Sequence, residues 1–144
     1  MITHQIIFRA LLVASCGYAL WRGRSEERIV ALVCIGATIA SRFAFSPLNV
    51  RYSSVETGLL LIDLAVLGAF IFVALRSARF WPLWAAGLQL TSSTAHLMKA
   101  IDETLLPVAY GAAIALWSYP ILIILAVATW RGQRRVRSDP VTPV

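Results

Sequence analysis

Residues 55–75, VETGLLLIDLAVLGAFIFVAL, form an unbroken apolar run with no basic residue, and only Asp63 is charged beyond its first turn. As a helix this run rises about 30 Å, the thickness of a bilayer's hydrocarbon core. Four further runs of similar character lie at 5–21, 29–47, 80–98 and 105–130. They are continuous rather than alternating with period two, so they read as helices and not as barrel strands. Helices also satisfy their own backbone hydrogen bonds in lipid. The sequence therefore predicts an all-α fold, an integral membrane bundle of five transmembrane helices in one domain over residues 1–130. The fourth run is the least apolar, interrupted by QLTSSTAH. The tail at 131–144, RGQRRVRSDPVTPV, is basic and expected to be disordered. Composition agrees: 59% of the chain is hydrophobic and 14% charged, against about 45–50% and 25% in soluble domains. A soluble globular domain and a disordered chain are both excluded on that ground.

The chain carries 13 Lys+Arg against 7 Asp+Glu, a net charge of +6. The basic residues collect in alternate connections. Arg22, Arg24 and Arg28 follow the first run, Arg76 and Arg79 the third, and Arg131, Arg134, Arg135 and Arg137 the fifth. With five spans, all nine fall on one side. The positive-inside rule makes that side cytoplasmic, with the N-terminus periplasmic and the C-terminus cytoplasmic. Trp21, Trp81, Trp84 and Trp130 fall at the same boundary, where amphipathic rings settle. The basic balance is thus a topology signal, and no nucleic-acid partner is expected. Cys16 and Cys34 lie within apolar runs and read as packing residues, not as a disulfide. Val13-Ala14-Ser15-Cys16 has the outline of a lipoprotein cleavage box, but Arg9 breaks the apolar region before it, so the first run is expected to remain as a helix.

Polar groups within apolar runs are costly and face protein or water. Arg9, Arg42, Asp63, His96 and Tyr110 all fall within about 12 Å of the outer ends of their helices, one on each helix. Arg42 stands at nearly the right depth to pair with Asp63 on the neighbouring helix, and Arg9 is the second candidate. Such a pair either fixes helix register or forms part of a site for a small ligand, ion or head group. On the fourth run Ala85, Gln89, Ser92, His96 and Lys99 recur on one helical face. That face is expected to turn inward, toward Tyr110 or Asp63, leaving Leu83, Leu90 and Leu97 outside. The candidate ligand-binding residues are therefore Arg9, Arg42, Asp63, Gln89, Ser92, His96 and Tyr110. Gly36 with Ala40, and Gly111 with Ala115, are small-residue pairs suited to close helix packing, and Pro120 is expected to kink the fifth helix.

No catalytic residues are expected. Ser92 and Ser93 near His96 on one helix do not make a triad, and no GxSxG, HExxH or glycine-rich phosphate loop occurs. No cofactor or metal is expected either: haem would need an axial partner for His96, and the only other histidine is His4.

The stretches RFWPLWAAGLQLTSSTAH (79–96) and LWSYPILIILAVATWRGQRR (116–135) resemble those of small, uncharacterised proteobacterial inner-membrane proteins. The resemblance covers about a quarter of the chain. It implies a bacterial inner-membrane location and carries no activity with it. Short loops and the small bundle point to a non-catalytic accessory or interaction subunit of a membrane assembly. Its partners would be the lipid bilayer and either another membrane protein or further copies of itself. One alternative is binding or transport of a small ligand through the outer polar layer. Another is an intramembrane enzyme acting on a lipid or prenyl substrate, with Asp63 and His96 as an acid–base pair.

Overall fold

The computed structural model describes residues 2–44, 54–102 and 107–138, apart from the side chains of residues 2, 4, 54–56 and 107–115. Among the described residues there are five helices and no strand: α1 Ile2–Arg22, α2 Ser25–Ala44, α3 Ser54–Arg76, α4 Trp81–Ile101 and α5 Pro107–Ser138. The all-helical class and the order of elements match the sequence reading, while several ends differ. α2 begins four residues before its apolar run because Ser25-Glu26-Glu27 makes a good first turn: Glu27 Oε2 accepts from the Arg24 backbone N–H at 2.9 Å, as the acid of a capping box does. α4 opens with Pro82 in its first turn, where the missing N–H costs nothing.

The largest departure is the tail. Residues 131–138, expected to be disordered, continue α5 without a break. Arg, Gln and Val carry no strong helix penalty, and the first proline after Pro120 is Pro140. α5 thus has 32 residues and a length of about 48 Å. It also runs through Pro120 as one helix. Residues 139–144 of the expected tail lie outside the described residues.

Each helix packs on its neighbours in sequence, and α1 packs on α5 to close the ring, with α2 also touching α5. Successive helices are antiparallel, so α1 and α5 run parallel. Two contacts fix their register: the rings of Phe8 and Tyr119 meet edge to face at 5.7 Å, and Gln133 Nε2 donates to the Arg22 carbonyl. Both helices advance 14 residues between these contacts, from 8 to 22 and from 119 to 133. The core along the ring axis contains Phe70, Val30, Leu125, Ala19 and Ala85, all essentially sealed from solvent. Small residues on α1 and α4 let larger ones from α3 and α5 reach the centre. The α1–α2 turn is very tight. A Cβ on Gly23 would collide with the Ala19 carbonyl oxygen, and would lie 2.8 Å from Glu27 Cβ. Gly36, expected at a close helix contact, instead faces open space. The side chains of Gly111 and Ala115 are outside the described residues.

Among the described residues one stretch, Thr57–Arg76, is long and apolar enough to cross a membrane, with a mean hydropathy of 2.6 and most of its residues outside the core. Arg9 in α1, the charges of α2 and the polar stripe of α4 lower the corresponding values of those helices.

Candidate functional site

Two polar groupings stand out, one inside the bundle and one at its end. The inner one joins α3 to α4. Antiparallel packing brings Asp63 level with polar residues in the third and fourth turns of α4. Gln89 Nε2 donates to Asp63 Oδ1 at 2.7 Å and approaches the Asp63 carbonyl at 3.4 Å. The Ser93 hydroxyl donates to Asp63 Oδ2 at 3.2 Å. His96 Nε2 stands 3.9 Å from the same oxygen, longer than a hydrogen bond. Gln89, Ser92, Ser93 and His96 are all buried, and the Asp63 side chain is 19% exposed. Leu83, Leu90 and Leu97 point outward on the opposite face. The inward turn of the α4 stripe thus agrees with the sequence reading.

The expected partner of Asp63 does not. No ion pair joins Asp63 to Arg42 or Arg9, and both arginines are exposed. The register of α2 on α3 explains this. Ala44 lies beside Gly58, so Arg42 sits about one turn toward the outer end from Asp63. Neutral donors from α4 hold the carboxylate instead, and they cost less to bury than a guanidinium. Of the proposed ligand-binding residues, the structure therefore gathers Asp63, Gln89 and His96, buries Ser92 on α4, and leaves Arg9 and Arg42 apart. The side chain of Tyr110 lies outside the described residues. Ser93 also belongs to the cluster; it is four residues from Gln89 and three from His96, so the same helical spacing that marks the stripe could have found it.

The second grouping lies at the end where α1, α3 and α5 finish. All nine arginines assigned to one side by the sequence are there, and eight of them are exposed. The ninth, Arg79, is half-buried in the α3–α4 turn. Its Nη1 contacts Glu27 Oε1 at 2.7 Å, and its Nε lies 3.9 Å from Glu26 Oε2. Glu27 is 1% exposed, so this is a buried pair. Gly132 of α5 packs over it, a Cβ there falling 3.7 Å from Arg79 Nη1 and 3.9 Å from Glu27 Oε1. The pair thus ties α2, the α3–α4 turn and α5 together. Its sequence signal was the acidic first turn of α2, which only a helix starting at Ser25 reveals.

The aromatic residues of this end carry cations. Arg22 stacks over Trp21 at 4.6 Å, Arg76 over Phe72 at 4.8 Å and Arg134 over Trp130 at 4.5 Å. Trp81 is half-buried with an unpartnered indole N–H. Cys16 and Cys34 are both free, and their thiols meet between α1 and α2. Among the described residues no three His, Cys, Asp or Glu side chains gather to hold a metal ion.

No protein-family model, curated protein or solved structure matches this chain.

Proposed function

We propose that this chain is a five-span protein of a bacterial inner membrane that acts, without catalysis of its own, as an interaction subunit presenting its arginine-rich end to the cytoplasm. The observation that carries the functional part is the state of Asp63. Both carboxylate oxygens are engaged by donors of one neighbouring helix. The inner polar cluster is then a structural lock, and most of the accessible charge, eight exposed arginines, lies at the end of the bundle.

Three features support the membrane part. The helices have 20 to 32 residues, or about 30–48 Å each, against the roughly 30 Å of hydrocarbon to be crossed. Their outer faces carry large apolar side chains on every helix, including Val13, Phe43, Leu75, Leu83 and Leu116. A soluble monomer rarely exposes apolar surface of that extent. Hydroxyls are treated as in an apolar medium: Thr38, Ser41, Thr91, Thr94 and Thr129 each donate to the carbonyl four residues back on their own helix.

Purification of the full chain in mild detergent, as wild type and as Asp63→Asn, tests the functional part. The proposal expects the same stoichiometric protein partner with both. The rival reading, a small-ligand site in the outer layer, is favoured by the residual exposure of Asp63 and the nearby imidazole. It predicts a bound small molecule that Asp63→Asn loses, and that result would overturn the proposal.

A further inference from the structure

We propose that the C-terminal end of α5 is a binding site for the phosphate head group of an anionic phospholipid in the cytoplasmic leaflet; this rests on the five-span reading. Val127, Trp130, Arg131, Arg134 and Arg135 line an open groove of about 480 Å³. Spacings of three, one, three and one place them on a single helical face. The groove changes chemistry along the helix axis. Its inner part is a valine and an indole, and its outer part three guanidinium groups. A phospholipid presents the matching order, acyl chain first and phosphate beyond it.

The axial distances agree. With Trp130 at the edge of the hydrocarbon, Arg131 to Arg135 lie about 1.5–7.5 Å further along the helix. The head-group layer occupies roughly 5–7 Å on each side of the hydrocarbon core. The guanidinium groups therefore stand at the level of the phosphates. Arg134 is stacked over the Trp130 ring, which orients its plane and leaves its N–H edge for an anion. Among the described residues Arg131, Arg134 and Arg135 form no ion pair, in contrast to Arg79. Gln133 ties this end of α5 to the Arg22 carbonyl, so a fourth arginine stands at the same level. Such a field disfavours the cationic head of a zwitterionic lipid and selects one with net negative charge. A free phosphate would use only the arginine half of the groove.

Native mass spectrometry of the full chain, with phosphatidylglycerol and phosphatidylcholine of identical acyl chains, tests the site. Wild type should retain phosphatidylglycerol preferentially. Arg131→Gln, Arg134→Gln and Arg135→Gln together should weaken its binding about a hundredfold, at about fivefold per arginine. Arg24→Gln, Arg28→Gln and Arg76→Gln remove the same charge from α1–α2 and α3, away from the groove, and should change binding far less. Equal retention of the two lipids, or equal loss in the two triple variants, overturns the site. So does displacement of the lipid by soluble glycerol phosphate, which would make this a simple anion site. Alkaline carbonate extraction of membranes separates the two levels of the argument. A chain that stays in the membrane yet shows no lipid preference overturns the site alone, and a chain released by carbonate overturns the five-span reading beneath it.

Discussion

Asp63 is a half-buried carboxylate and Glu27 a fully buried one, and they are held in different ways. Asp63 accepts from an amide and a hydroxyl, while Glu27 accepts from a guanidinium and a backbone N–H. Their substitutions should differ accordingly. Asp63→Asn retains an acceptor for Gln89 and a group that Ser93 can pair with by rotating its hydroxyl. It should shift thermal stability in detergent only slightly. Asp63→Leu strands both donors, at about 1–3 kcal/mol each, and should lower stability sharply. If the asparagine variant is as damaged as the leucine variant, the negative charge itself is required and the structural lock is the wrong description. Glu27→Ala leaves the half-buried Arg79 with only the longer contact to Glu26 and should cost up to about 3–5 kcal/mol. Glu27→Leu combined with Arg79→Met should recover most of that loss. A double variant no more stable than Glu27→Ala would mean that the pair is not what joins α2 to the α3–α4 turn.

At the scale of the helices, α4 shows what periodicity can reveal. Gln89, Ser92 and His96 on one face and Leu83, Leu90 and Leu97 on the other are visible in the sequence as a stripe, and the bundle buries the first set and exposes the second. The sequence narrows the receiver of the stripe to Tyr110 or Asp63, and Asp63 takes it. Choosing Asp63's partner needs the relative register of α2, α3 and α4, and a difference of one turn exchanged a guanidinium for neutral donors. The end of α5 was misread for another reason. A basic, polar segment looks like a tail when judged by hydropathy, although Arg, Gln and Val extend a helix already nucleated. The facing of α4 leads to a labelling result. A lipid-soluble thiol probe should modify Leu90→Cys and spare Ser92→Cys in a background lacking Cys16 and Cys34. The reverse pattern would mean that α4 presents its polar face outward.

For the whole molecule, the ring order of the helices and the parallel run of α1 and α5 place the start of α1 and the end of α5 at opposite ends of the bundle. Nine arginines mark the end to which α5 leads, and aromatic rings under Arg22, Arg76 and Arg134 mark a common level on three helices. In the proposed five-span reading those three helix ends share one side of the membrane and the start of α1 lies on the other. The central claim is therefore a statement of topology. It is tested by fusing to the C-terminus, in separate chains, a phosphatase active only in the periplasm and a fluorescent protein that folds only in the cytoplasm. The account predicts a silent phosphatase and a bright fluorescent fusion in the membrane fraction. An active phosphatase with a dark fluorescent fusion would contradict it.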